Sequence, residues 1–286
     1  MGLKLNSDGK FKINGFTDHH IDFSFETHGI VKTATIRADK RDRLGHPLDY
    51  KILNLAIKKC VNAGYKHIVI EGALGQRYIG AALSDPDVKI EVHGTPGNNL
   101  GAFLDGATIE VFGNAQDLTG NTMNSGKIIV HGNAGDVTGL AARCGIILIK
   151  GNSGYRTGIH MKEFAGMKPS IVIGGSVKDY LGEYMAGGTI LVFGIGIDER
   201  AVSGTNIGAG MHGGIIFIRG RVNDHQLGSG AIFKEITEND RKQLETLATE
   251  YEAAFGTEVP RDWESYTKIV PHTHRPFHGH YDPTLI

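Results

Sequence analysis

The chain has 286 residues, with 30 Lys plus Arg against 31 Asp plus Glu and a formal net charge of −1; that balance excludes binding to nucleic acid or a membrane surface through bulk charge. Its 41 glycines are about twice the usual share, but with only 8 prolines and no strict glycine every third residue the chain is neither linker-like nor collagenous. Two cysteines, Cys60 and Cys144, are too few for a disulfide framework or a cysteine-only cluster site, and no apolar run approaches the ~18 residues of a spanning helix. The opening Met1-Gly2-Leu3-Lys4-Leu5-Asn6 lacks the apolar core of a signal peptide, so a cytoplasmic protein is expected.

In chain order, residues 1–45 read as a region of short strands: Phe11-Lys12-Ile13, Ile21 to Phe25, and Thr33 to Ile36. Residues 46–66 read as a capping helix. Leu48, Ile52, Leu55, Ala56 and Cys60 make its apolar face, and Gly64 suits its end. From 67 to 230 the chain repeats itself. The first glycine of each copy falls at Gly94, Gly113, Gly132 and Gly151, a step of 19 residues. A second glycine lies 12 residues before the next copy's first one, as Gly101 before Gly113 and Gly120 before Gly132. Two extra residues fall near Ser84-Asp85-Pro86, five within Lys162 to Pro169, and seven around Ile197 to Gly204. Counting Gly72, Gly94, Gly113, Gly132, Gly151, Gly175, Gly194 and Gly220 gives about eight copies.

Each copy opens with a short β-branched or aliphatic run, such as Ile68-Val69-Ile70 or Ile171-Val172-Ile173, which makes a strand and is too short for a helix. The unit has no room for a crossover helix. The same strand type recurs once per copy in the same sense. The expectation is therefore an all-β-dominated chain, a right-handed parallel β-helix of about eight coils, stacked at ~4.8 Å into a rod roughly 40 Å long. A solenoid needs its ends covered. Residues 231–286 supply the second candidate cap, a helix from Thr237 to Phe255 followed by an irregular tail. Thr237 and Asp240 have capping-box spacing, and Leu244, Leu247, Ala248, Tyr251 and Phe255 share one face. Capping helices are thus expected at both ends.

Motifs that carry chemistry elsewhere are weak here. Gly208-Ala209-Gly210-Met211-His212-Gly213 fits G-x-G-x-x-G, but Ser203 to Asn206 precede it and a strand follows, so the repeat explains these glycines better than a dinucleotide does. His272, His274, His278 and His280 are dense enough to chelate a transition metal, yet no cysteine is near and Asp282 is the only close carboxylate. An extended tail packing through Arg275, Pro276 and Phe277 is the plainer reading. His19-His20, beside Asp18 and Asp22, reads as a polar strand end. His131, His160 and His212 fall near related phases of the coil, where Glu163, Glu183 and Arg156 could join them. Cys144, next to Gly145 at a strand start, reads as a buried thiol. No nucleophile–base set assembles. No catalytic, cofactor-binding or metal residue is assigned. The segments Tyr155 to Glu163 and Tyr180 to Met185 mix aromatics, methionine and charges in the manner of a partner surface.

Several of these runs resemble one family. Gly75-Gln76-Arg77-Tyr78-Ile79-Gly80, His93-Gly94-Thr95-Pro96-Gly97-Asn98-Asn99-Leu100-Gly101, Gly113-Asn114-Ala115-Gln116-Asp117, Tyr155-Arg156-Thr157-Gly158-Ile159-His160-Met161-Lys162-Glu163, Leu181-Gly182-Glu183-Tyr184-Met185 and Gly210-Met211-His212-Gly213-Gly214 are similar to the glycine-repeat (GXGXG) domain that ends the large subunit of glutamate synthase. The likeness covers roughly residues 45–225, and more weakly Lys268 to Pro276. It implies a right-handed β-helix that serves as a non-catalytic scaffold in a split glutamate synthase-type complex. It implies two partners: a class II glutamine amidotransferase subunit that releases ammonia, and a synthase subunit with FMN and an iron–sulfur cluster that adds it to 2-oxoglutarate. A chain that begins Met1-Gly2 and has no cysteine cluster is expected to hold neither active site, and no cofactor of its own. Two relatives share the β-helix: the middle-type subunit of N-methylglutamate synthase, and the β-helical subunit of formylmethanofuran dehydrogenase with its formyltransferase/hydrolase counterpart. A free-standing metal-binding or enzymatic solenoid is the alternative of another class. The residues put forward for partner contact are Gln76, Arg77, Tyr78, Tyr155, Arg156, His160, Lys162, Glu163, Glu183, Tyr184 and His212.

Overall fold

The structure is a computed structural model that describes residues 23–28, 31–41, 44–197 and 204–273. The proposed strand Phe11–Ile13, the pair His19-His20, and His274, His278 and His280 lie outside the described residues.

Strands β1 (Phe23–His28) and β2 (Val31–Arg37) form an antiparallel pair at one end of a single sheet. From β2 onward the ladder is parallel and takes its strands in chain order. These are β3 (His67–Leu74), β4 (Lys89–Thr95), β5 (Asp105–Phe112), β6 (Ser125–Val130), β7 (Ile146–Ile149), β8 (Ser170–Ile173), β9 (Ala186–Val192) and β10 (Gly213–Arg219). From β3 to β10 no helix intervenes between consecutive parallel neighbours, which is the signature of a β-solenoid.

Register stacks like on like. Ile68, Ile90, Ile109, Ile128, Ile147, Ile171, Ile190 and Ile216 form one column, and Ile70, Val92, Val111, Val130, Ile149, Ile173, Val192 and Ile218 the next. Both columns are buried inside the coil. Each such side chain stabilises the fold by about 1.5–3 kcal/mol. The solenoid has about six turns, not the eight that the glycine count suggests. That count tallies strands, whereas a turn also needs a corner. The eight strands β3 to β10 are joined by only seven corners, and α1 (Tyr50–Asn62) stands ahead of β3.

Helix α1 buries Ile52, Leu53, Ala56, Ile57 and Cys60 in the interior cluster beside Ile36, Ile68 and Ile79. Leu55, expected on that face, is half-buried. Burial pushes the Cys60 thiol up to about 11. Cys144 is half-buried rather than buried, two residues ahead of β7.

Helix α2 (Glu238–Phe255) has the expected capping box: Asp240 accepts from the Thr237 backbone N–H at 2.6 Å, and Thr237 Oγ1 accepts from the Asp240 backbone N–H at 3.3 Å. Its position corrects the expectation of an end cap. Leu244, Leu247, Ala248, Tyr251 and Phe255 pack on Ile129, Leu148, Val172, Leu191 and Phe217, the outward-facing column of β6 to β10. The helix therefore lies across the outside of the sheet, because those strands are apolar on both faces and the outer one needs cover. Beyond β10 the ladder continues into antiparallel strands β12 (Tyr266–Pro271) and β11 (Ala231–Lys234), where the sequence suggests only an irregular tail. Trp263 and Tyr266 join the α2 cluster, and the Trp263 indole N–H donates to Glu245 at 2.6 Å.

Candidate functional site: the glycine corners and their outer columns

Each turn leaves the sheet at a corner with three left-handed residues, alternating along the chain. They are Tyr78, Gly80 and Ala82; Asn99, Gly101 and Phe103; Leu118, Gly120 and Thr122; Val137, Gly139 and Ala141; Arg156, Gly158 and His160; and Tyr180, Gly182 and Tyr184. The trio recurs at Asn206, Gly208 and Gly210. The middle residue faces inward. At Gly139, with φ at +73°, an added Cβ would stand 2.3 Å from Ile171 Cδ1. Its counterparts Gly80, Gly101, Gly120, Gly158 and Gly182 meet the same isoleucine column at 2.3–2.6 Å. Glycine is therefore a packing requirement here as well as a backbone one.

Except at Gly210, the outer two positions carry side chains, at φ between 51° and 65°. A left-handed residue other than glycine costs roughly 1–2 kcal/mol. Backbone hydrogen bonds between turns offset that cost. Leu118, Val137 and Arg156 donate N–H to the carbonyls of Asp136, Tyr155 and Asp179 at 2.9, 2.7 and 3.0 Å. Gly120, Gly139 and Gly158 donate backwards to Leu100, Thr119 and Thr138 at 2.7–2.8 Å. Side chains add a ladder: Asn114, Asn133 and Asn152 each accept, through Oδ1, the backbone N–H of Asn133, Asn152 and Ser176 at 2.8 Å.

The partner-contact residues distribute unevenly over this frame. Gln76 is buried and bonds internally, accepting from Leu74 N–H at 2.7 Å and donating to the Ala38 carbonyl at 3.0 Å. Its amide is taken up by backbone partners within the chain. Arg77 is exposed and lies 4.8 Å from the Tyr50 ring of α1, with Tyr78 6.0 Å from that ring. Tyr78 and Arg156 share one corner column but are four turns apart, about 19 Å.

The later corners do bring their residues together. Arg156 Nε donates to Glu183 at 2.8 Å, and its guanidinium lies 4.8 Å from the Tyr180 ring. That hydrogen bond pushes Arg156 above its ordinary pKa. His160 stacks on Tyr184, ring centroids 5.3 Å apart. Lys178 lies 4.8 Å from the Tyr155 ring. Lys162 and Glu163 are exposed, and Glu163 accepts from Gly188 N–H at 3.0 Å. Lys178 is not among the residues the sequence singles out; it precedes Asp179, the residue at Tyr155's phase in the next turn. His212 is half-buried just before β10. His131, His160 and His212 occupy a strand end, a corner and a strand start, so they do not stack.

A second polar array runs on the outside of the early turns. Lys89 bonds both Glu91 and Glu110 at 2.8 Å, and His131 bonds Glu110 at 2.8 Å. His67 Nε2 lies 3.1 Å from Glu91 but off the angle of a good hydrogen bond. Burial pushes the Glu91 and Glu110 carboxyls up, but their hydrogen bonds, above all from Lys89, outweigh it and leave both below the usual carboxylate range. Phe112 stacks between His93 and His131, both at 4.8 Å. Among the described residues no three His, Cys, Asp or Glu side chains group to hold a metal ion. The run Gly208 to Gly213 is a corner and a strand start rather than a strand-to-helix turn. Among the described residues no helix is long and apolar enough to cross a membrane.

Strand columns, a glycine in every corner, packed on an isoleucine in six of the seven, and one solenoid define a class: parallel β-solenoids built on a glycine repeat. The GXGXG motif family matches residues 50–272, and the chain belongs to that family. It is also 44% identical over 250 residues to the uncharacterized protein MJ1350 of Methanocaldococcus jannaschii, a span of 84% of this chain and 95% of that relative.

Proposed function

We propose that this chain is a non-catalytic scaffold subunit of a split glutamate synthase-type complex. The family match over residues 50–272 supports the glutamate synthase likeness. The observation that carries the scaffold role is the use made of the family's own glycines: in six of the seven corners an isoleucine Cδ1 of the interior fills the space beside the glycine, and the corner backbones hydrogen-bond to the neighbouring turns. The motif is spent on architecture, and what remains for function is the outside. In this reading a class II amidotransferase partner releases ammonia from glutamine. A second partner, holding FMN and an iron–sulfur cluster, uses it on 2-oxoglutarate. This chain holds no cofactor and aligns the two.

The test is a tagged capture of the chain from its native host, with the bound subunits identified and flavin and iron absorption recorded. An amidotransferase together with a flavin and iron–sulfur protein is the expected result. A molybdenum or tungsten protein, or an amidohydrolase-like subunit, would move the chain to the formylmethanofuran branch. N-methylglutamate synthase partners would move it to that enzyme. A chain that purifies alone would sink the scaffold role.

A further inference from the structure

Two features of the later turns serve no purpose inside the fold. The first is the choice of side chains at the strained outer corners. Tyr78 and Phe103 are isolated in their columns, with Asn99 and with Ala82 and Thr122 as vertical neighbours. Two adjacent turns instead place Arg156, His160, Tyr180 and Tyr184 together, all at φ between 51° and 64°. Glycine would relax the backbone at each of them. His160 and Tyr184 are exposed, so no interior packing asks for their rings. The second feature is the five-residue excess between Gly158 and Gly175. It folds as a hairpin in which Phe164 and Met167 exchange backbone hydrogen bonds at 3.2 and 3.0 Å. Their side chains are 58% and 46% exposed, a wide apolar display for so short a loop.

Cations outnumber carboxylates in what this face offers outward. Glu183 is ion-paired by Arg156, whereas Glu163 and Asp179 each accept one backbone N–H, from Gly188 and from Thr205 at 2.7 Å, and keep their charge against three lysines. Lys162, Lys168 and Lys178 are exposed and form no ion pair among the described residues. Aromatic rings, an arginine and an apolar hairpin inside a rim of unpaired cations match the anatomy of a protein-binding patch.

We propose that Arg156, His160, Tyr180 and Tyr184, with the Phe164–Met167 hairpin, dock an acidic loop of a partner protein subunit. The rings and the hairpin cover its apolar side chains, and the lysines meet its carboxylates. This assignment rests on the assembly reading above and adds the docking face and its chemistry. A single-stranded nucleic acid would also use rings and cations, but the chain's net charge of −1 gives it no basic field to draw one in.

The experiment is capture of partner subunits from the native host by the tagged full chain and by two double variants, His160→Gly/Tyr184→Gly and Lys162→Glu/Lys178→Glu. The glycine pair removes backbone strain, so its melting temperature stays level or rises, and a loss of partner is not a loss of fold. Both variants are expected to lower partner recovery by about tenfold or more, while Phe112→Ala, on the strand side, leaves it unchanged. Wild-type recovery is expected to fall as salt is raised. Partner retained at the wild-type level by both double variants would overturn the docking face and leave the assembly reading intact. A wild-type chain that captures nothing would overturn both. A cross-linked partner loop without Asp or Glu, or a mixed-sequence DNA oligonucleotide that binds the wild type and not the lysine variant, would overturn the acidic-protein assignment.

Discussion

The early and late turns share one interior and differ outside. In β3, β4 and β5 the middle outward residue is Val69, Glu91 and Glu110; in β6 through β10 it is Ile129, Leu148, Val172, Leu191 and Phe217. The first set is half-buried, and its two glutamates are knitted by Lys89 and two histidines. The second is buried under α2. A solenoid face can thus be finished in two ways. Partly exposed ion pairs such as these add about 1 kcal/mol or less each, whereas each buried apolar side chain adds about 1.5–3 kcal/mol. The late turns therefore hold most of the exterior stability, and the early turns hold most of the exterior charge.

The largest effect is expected at Phe217→Ala. It empties a fully buried site between β10 and α2 and should cost about 3–5 kcal/mol in denaturant unfolding. Next is Gly139→Ala. Its new Cβ collides with Ile171 and sits at positive φ, so a loss of about 3 kcal/mol is expected, with the two terms adding. An equal loss at Val137→Gly would contradict this account, because that change relieves φ +60° at a half-buried position.

Tyr251→Phe should be milder, about 1 kcal/mol, for the hydrogen bond that its hydroxyl donates to the Lys150 carbonyl at 3.1 Å. It has a pH signature. Burial pushes the Tyr251 phenol up to about 12, above the ~10 of an unfolded tyrosine. The unfolded state loses its proton first, so stability present below pH ~10 falls as pH rises towards 12. A thermal melt series should show a shallower alkaline loss in the variant. Lys89, which burial lowers but its two carboxylate partners raise, also sheds its contribution at alkaline pH, above ~10.5; the Tyr251→Phe difference isolates the late turns.

The smallest effect belongs to the early exterior. Glu110→Gln should cost under about 1 kcal/mol and its cost should shrink in salt. Both Glu91 and Glu110 sit below their ordinary pKa, so their contribution is present above pH ~4.5 and is lost as pH falls below it. If Glu110→Gln destabilised the chain as much as Phe217→Ala, the two exteriors would be energetically alike and the contrast would fail.

Much of this was legible in the chain. The 19-residue step fixed strand, corner and insertion positions because a solenoid stacks like on like, so sequence phase becomes spatial register. The placement of α2 was missed. Its signal was present: Lys89-Ile90-Glu91-Val92 alternates, whereas Ile171-Val172-Ile173 and Ile190-Leu191-Val192 do not, and a strand apolar on both faces needs cover on both. The strand β12 was missed because Tyr266 to Pro271 owes its form to pairing with β10 and β11, not to any period of its own. Of the contact candidates, the burial of Gln76 was not legible because its partners, the carbonyls of Ala38 and Leu48, are 38 and 28 residues away in sequence.

The sequence by itself determined the repeat, the inward isoleucine columns and the glycine in every corner. Each follows from local periodicity and from one steric limit repeated turn after turn. Only the tertiary structure decided which outer faces are covered, that bulky residues such as Arg156 and Tyr184 take the left-handed conformation, and that they meet across turns. Nothing in a residue's own propensity favours that conformation for arginine or tyrosine. It is imposed by the hydrogen bonds from the turns on either side, which exist only once the coil has closed.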